Sequence, residues 1–314
     1  MTTPPIRGGS LSEAEVTTVP RVAWRAPAER SESPLVQGLR RLRRSGTALV
    51  GVAIVGVLLV VAIFADVLAP LSPIASDQAH TFARPSWDHP LGTDQLGRDM
   101  LSRVIHGTRI SLLVGVSSVL LALFVGVPFG MIAGFYGGRV DTLIMRVMDL
   151  ILAFPIYLLA IILMVMFTPT AGLIGTMKVT GAIAIVRIPI YARLVRGSVL
   201  SIKEKEFIEA SRALGVRDPA ILMRHVLPNC LAPIIVTTTL GIATSIIVEA
   251  TLSFLGLGTQ PPTPSWGWDL KANVAFIQAN AWLSLFPGLA IFVTVLGFNL
   301  FGDGLRDALD PRLK

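Results

Sequence analysis

The stretch LSIKEKEFIEASRALGVRDPAILMRHVLPN, residues 200–229, decides the fold. It sets a dense run of charge between two long apolar runs, which places it in water beside a membrane. Phe207, Ala210 and Leu214 fall at i, i+3 and i+7, so they share one face of a short helix. Lys203, Glu204, Lys205, Glu206, Glu209 and Arg212 surround that face with charge. Gly215 suits the stop, because glycine takes a positive φ at no steric cost. Asp218-Pro219 suits a restart, with Asp as N-cap and Pro at the first helical position. Pro228 and Pro233 flank the start of the next apolar run. A helix–Gly–helix elbow with a small-residue face has the form of a piece that docks in a groove on another protein. A plain solvated hairpin satisfies the same spacing.

Working outward, the 314 residues are 53% hydrophobic and 15% charged, with a mean hydropathy of +0.69. That composition predicts a polytopic membrane protein of helical class. Six runs are long enough to cross a hydrocarbon layer of roughly 30 Å, which takes about 20 helical residues. They lie near 47–68, 110–133, 146–168, 180–199, 231–256 and 284–303, with Pro155 and Pro189 expected to kink two of them. One cysteine, Cys230, excludes an internal disulfide. No metal-ligand spacing and no phosphate-binding GxxxxGK[ST] loop occurs, so no cofactor and no ATPase chemistry is expected in this chain.

The net charge of +7 is placed for a membrane, not for nucleic acid. Lys and Arg number eight in 1–45, two in 134–146, seven in 193–230 and three at the C-terminus, twenty on one side. Four in 69–109, with Lys178 and Lys271, make six on the other, and Arg187 is left inside a run. The positive-inside rule then puts both termini and the 200–229 loop in the cytosol. Trp87, Trp266, Trp268 and Trp282 fall on the outer side.

Residues 1–33 lack periodicity and are expected to be a disordered tail and not a secretory signal. Residues 34–45 are basic and amphipathic, which suits an interfacial elbow helix on anionic lipid. Residues 46–109 would supply the first span and an outer segment, and 110–314 the main transmembrane domain. Within the outer segment, 97–106 is expected to be a short helix. His80, His89 and His106 share that segment with Asp94 and Asp99, in a spacing that fits capping and ion pairs better than a metal site. Residues 134–149 read as a tight turn at Gly137-Gly138, with Arg146 and Asp149 able to pair. Pro261, Pro262 and Pro264 stiffen the outer stretch 257–283, whose Trp266 and Trp268 suit either contact with a binding protein or capping of the bundle.

Longer motifs carry a resemblance. Glu209-Ala210-Ser211, Gly215 and Leu227-Pro228 resemble the EAA loop of ABC importer permeases. Ser211 stands where that family has its second Ala, and His225 where it usually has Ile. LGTDQLGRDMLSR followed by GTRISL (91–112), GFYGGRVDTLIMRVMD (134–149), YARLVRGSVLSIKEKEFIEASRALG (191–215), EATLSFLGLGTQPPTPSWG (249–267) and NLFGDGLRDALDPRL (299–313) are similar to the C-type permease of dipeptide, oligopeptide and nickel importers. The resemblance covers about 89–314. It implies an all-α membrane protein of six helices with the type I importer fold, in the cytoplasmic membrane. It implies a second permease, two ATPase subunits that carry ATP and Mg, and an extracytoplasmic binding protein. It makes Phe207, Glu209, Ala210, Ser211, Leu214 and Gly215 the coupling face toward the ATPase. The implied function is import of di- or oligopeptides by alternating access, with no covalent chemistry here. Import of nickel or another small solute, and a non-transporting anchor or sensor for an ATPase, remain as alternatives.

Two ionisable residues stand inside the apolar runs, Arg187 and Glu249. With the fourth run starting near 180 and the fifth ending near 256, each lies about seven residues, roughly 10 Å, from an outer end. A charge at that depth calls for a partner or a wet cavity. One reading is an Arg187–Glu249 ion pair that holds two helices together. The other places them on the outer part of the pathway, where a guanidinium meets a peptide carboxylate.

Overall fold

The computed structural model describes residues 45–168 and 170–309. The tail 1–33, and the elbow helix 34–45 apart from Ser45, lie outside the described residues. In lipid every backbone polar group must be satisfied within the chain, and apolar runs of this length do so as helices. They are α1 Gly46–Ile63, α2 Ala65–Leu68, α3 Met100–Tyr136, α4 Gly138–Leu152, α5 Ile156–Phe167, α6 Gly172–Ile202 and α7 Glu206–Ala213. Then follow α8 Asp218–Phe254, α9 Trp266–Asn273 and α10 Trp282–Leu309. Among the described residues there is no β-strand, only isolated bridges Thr93–Asp99 and Ala171–Gln260. Five of these helices are long and apolar enough to cross a membrane, and six spans result if α4 and α5 count as one broken span.

The helices run further than the apolar runs alone indicate. The expected short helix 97–106 is the first part of α3, begun by Asp99, whose carboxylate accepts from Ser102 N at 2.8 Å. The expected domain boundary at 109/110 therefore falls inside a helix. The turn expected over 134–149 contracts to Gly137 and Gly138, at φ +67° and +55°. Helix resumes at once, so Asp141 and Asp149 project from α4. Asp141 accepts from Arg196 at 2.5 and 2.6 Å, and Asp149 accepts from Arg193 instead of pairing with Arg146. Pro155 breaks the third span where a kink was expected, because α4 and α5 meet at 87°. Pro189 stays buried inside α6.

The larger correction concerns the second half of 200–229. Arg217, not Asp218, is the N-cap, and from Asp218 the chain is helical through to Phe254. Pro228 and Pro233 lie within that helix. A wide π-turn at Leu222–Val226 precedes Pro228, with the Leu227 amide donating to Leu222 O. That turn opens the helix ahead of a ring that would otherwise press on the carbonyl four residues back. The elbow thus continues directly into the fifth span.

The core forms around α3, whose small residues let other helices approach closely. A Cβ at Gly126, Gly130 or Gly134 would lie 2.7 Å from Ile188 O, 2.5 Å from Ala192 O and 2.8 Å from Val199 Cβ. One side of α3 is therefore fitted to the backbone of α6. Toward its start, Gly107 faces the Trp266 ring and Gly115 faces Ile246. The end of the bundle that carries α9 is held by buried charge. Arg103 Nε donates to Asp269 Oδ1 at 2.8 Å, Arg103 Nη1 to Pro73 O at 2.9 Å, and Arg98 Nε to Asp94 Oδ2 at 2.7 Å. Burial pushes the Asp269 carboxyl up from its ordinary range, and the Arg103 guanidinium acts against that.

Candidate functional site

The elbow is built by a short helix, a glycine turn and the start of α8. At the end of α7 the Gly215 amide donates to Arg212 O at 2.9 Å and the Val216 amide to Ser211 O at 3.1 Å. With Gly215 at φ +75°, this is a Schellman closure, which satisfies the last carbonyls of the helix. Ile208 is fully buried and anchors α7 in a cluster with Phe135, Val199, Ile202, Ile221 and Val226. The Arg212 guanidinium lies 5.0 Å from the Phe135 ring centre, and Lys203 Nζ donates to Gly134 O at 3.2 Å. These contacts fix the elbow to the ends of α3 and α6.

The opposite face is bare in this chain. Phe207 is 41% exposed, Leu214 84% and Met223 57%, and Glu209 and Ala210 are exposed beside them. Ser211 is half-buried and returns its hydroxyl to Phe207 O at 2.7 Å. His225 stands 6.4 Å from Phe207, ring to ring. Burying a side chain such as Leu214 stabilises a contact by about 1.5–3 kcal/mol. Sequence reasoning found the exposed stripe and missed its anchor. Ile208 carried a signal, as the apolar residue of α7 out of phase with Phe207 and Leu214.

Arg187 and Glu249 do not meet. Glu249 is fully buried, where its carboxylate accepts from Ser111 at 3.2 Å, Ser253 at 2.8 Å and Ser265 at 3.1 Å. It ties α3, α8 and the residue before α9 together and does not line the cavity that Arg187 borders. Arg187 is 9% exposed and its guanidinium donates to Thr244 Oγ1 on α8. It borders a cavity of about 230 Å³ with Tyr157, Ile183, Val186, Ile190 and Val248. Because α6 starts at Gly172 and not near 180, Arg187 lies fifteen residues from each end of the helix. It stands at the middle of the helix, not about seven residues from its end. Thr244 and Tyr157 were not anticipated; no sequence periodicity relates α5, α6 and α8.

Trp266 is fully buried, with Nε1 donating to Val104 O at 2.9 Å and its ring on Gly107. It belongs to the core and offers no surface to a binding protein. Trp268 is half-buried under the Lys271 ammonium, 4.8 Å from its ring centre. The three histidines go to three different carboxylates: His80 to Asp77 at 2.7 Å, His89 to Asp99 at 3.1 Å and His106 to Asp66 at 3.2 Å. The His80 hydrogen bond holds the Asp77 carboxyl below its ordinary range.

Comparison with known proteins places this geometry. Residues 126–314 match the family described as binding-protein-dependent transport system inner membrane component. Residues 33–85 match the N-terminal transmembrane domain of oligopeptide transport permease C. The dipeptide transport system permease protein DppC of Alkalihalophilus pseudofirmus is 45% identical over 282 residues, covering 90% of this chain and 91% of that protein. The di/tripeptide transport system permease protein DppC of Pseudomonas aeruginosa is 43% identical, covering 90% and 93%. The glutathione transport system permease protein GsiD of Escherichia coli is 45% identical, covering 93% and 98%. Among solved structures, a chain of the inward-facing MetNI methionine ABC transporter aligns with a TM-score of 0.55 at 19% identity, over 67% of this chain and 98% of that one. That likeness supports the type I importer permease fold. With its helical bundle, its elbow and relatives matched over nine-tenths of its length, the chain belongs to the family of binding-protein-dependent transport system inner membrane components.

Proposed function

We infer that the chain is a permease subunit of an ATP-driven ABC importer that moves di- or oligopeptides across the cytoplasmic membrane. The observation that carries this reading is identity of 43–45% to dipeptide, di/tripeptide and glutathione permeases across about nine-tenths of the chain. An importer of this fold works with ATPase subunits, a second permease and a binding protein. Both termini and the elbow face the cytosol in this reading.

The elbow is the coupling element. Its exposed apolar face, with Phe207, Ala210 and Leu214 beside Glu209, seats in a groove of the ATPase. Gly215 lets the chain turn back, and Ser211 keeps the helix narrow by bonding its own backbone. Ile208 transmits displacement to α3 and α6 through Phe135, Val199 and Ile202. The unbroken α8 carries the same displacement toward Thr244. ATP-driven closure of the ATPases then biases the bundle between inward- and outward-open states. Trp268 remains the candidate contact for the binding protein.

Uptake of a radiolabelled dipeptide by cells lacking the gene, with and without the gene restored, tests the substrate reading. Restored uptake that unlabelled di- and tripeptides compete, and that ATP depletion abolishes, is the expected result. Competition by Ni²⁺ and not by peptides, or no restoration, overturns it.

A further inference from the structure

We propose that Arg187 is the receptor within the pathway for the C-terminal carboxylate of the transported peptide. The proposal rests on the peptide reading above and names the part of the ligand that this chain holds. Arg187 lies fifteen residues from Gly172 and fifteen from Ile202, about 22 Å from either end of α6. Inside an apolar span an ionised side chain is costly, and one is kept there for a partner or a passing solute.

The guanidinium has five N–H donors and no accessible neutral form. Among the described residues it donates to one side chain, the Thr244 hydroxyl. The Thr244 hydroxyl itself donates a hydrogen bond to Leu240 O or Gly241 O, each at 3.1 Å, so it orients the arginine without neutralising it. The acid nearest in the expected pairing, Glu249, is occupied by three serines. A buried cation thus lines a cavity whose other walls are chiefly aliphatic, with the Thr244 hydroxyl and one phenol, Tyr157, while the Tyr191 hydroxyl stands with the guanidinium against Gly241.

The chemistry that completes such a site is a planar anion. A carboxylate accepts two parallel N–H bonds from the guanidinium fork, which a lysine does not reproduce. At about 230 Å³ the cavity is smaller than the roughly 300–1,000 Å³ of a pocket that encloses a whole small ligand. It takes one end of a peptide and leaves the remainder to the other permease. The carboxylate is supplied by the chain terminus of any peptide, or by an Asp or Glu side chain of some.

The test uses the complete transporter in proteoliposomes, with the binding protein saturated. Uptake of Ala-Ala, of Ala-Ala amide and of Asp-Ala amide is compared in the wild type, Arg187→Gln and Arg187→Lys. The expected result is a fall of about 10- to 100-fold for Ala-Ala in Arg187→Gln, the scale of a lost charged hydrogen bond. The amide, already slow in the wild type, changes little, and Arg187→Lys is intermediate. If Asp-Ala amide follows Ala-Ala, the site takes carboxylates generally and the assignment to the terminus is overturned. An equal fall for acid and amide, or no fall, overturns the proposal. So does loss of the second permease from purified Arg187→Gln with recovery in Arg187→Lys, since the arginine then pairs with that subunit. A wild type that imports no peptide removes the peptide reading, and this proposal with it.

Discussion

The two ends of the bundle differ in what they bury, although exposed apolar residues such as Trp87 and Leu96 occur at the α9 end as well. At the elbow end, apolar groups stand exposed: Phe207, Leu214 and Met223. At the end that carries α9, charged and aromatic groups are buried: Asp94, Arg98, Asp99, Arg103, Trp266 and Asp269. Burying charge demands a matched partner with good geometry, and each of these has one within the chain. Exposing an apolar face demands nothing of the chain itself and gains only when something covers it. The α9 end therefore pairs its buried charges within the chain, and the elbow end, in the proposed reading, presents its apolar face to a partner. Substitutions at the first should act through stability, and at the second through coupling.

Removing one member of the buried pair breaks the contrast hardest. Asp269→Ala leaves Arg103 charged, buried and without its carboxylate, at a cost of about 3–5 kcal/mol. The expected outcome is a sharply lower yield of folded protein and a lower melting temperature in detergent. A melting curve that matches the wild type shows that the α9 end does not depend on this pair.

Gly215→Pro acts at the elbow. The native φ of +75° is closed to proline, and the amide that bonds Arg212 O is lost. The local cost is about 1–3 kcal/mol, confined to the turn. Folded protein and assembled complex are still recovered, while peptide-stimulated ATP hydrolysis and uptake fall together. Full uptake in this variant removes the elbow from the coupling path.

Leu214→Asp has the smallest effect on the isolated chain, within about 0.5 kcal/mol, since the side chain is 84% exposed. Co-purification of the ATPase is the measurement that separates the two ends. Reduced recovery of ATPase at unchanged permease stability is expected. Unchanged recovery means that Leu214 remains in water in the complex.

The elbow was legible in the residues because a helix of eight residues reports its own faces through spacing, and because a glycine at positive φ marks its end. The spans were legible because length and hydropathy alone decide what crosses a bilayer. Their ends were not. Met100, Gly172 and Asp218 start helices well outside the apolar runs, where capping and tertiary contact take over from hydropathy. Trp266 shows the same limit at one residue. Its reading as a contact for a binding protein fails, and capping of the bundle stands, because Gly107, far away in the chain, leaves a slot for its ring and Val104 offers a carbonyl.

The sequence by itself determined the class of the protein, the count of apolar runs and the two faces of α7. Each depends on residues close together in the chain, through solvent transfer and helical periodicity. Only the tertiary structure decided that Glu249 belongs to three serines, that Arg187 rests on Thr244 beside an open cavity, and that the elbow runs unbroken into α8. Those outcomes depend on which side chains of α3, α6, α8 and α9 arrive at the same place. That is set by the close approach of helices along the glycines of α3, and no local pattern records it.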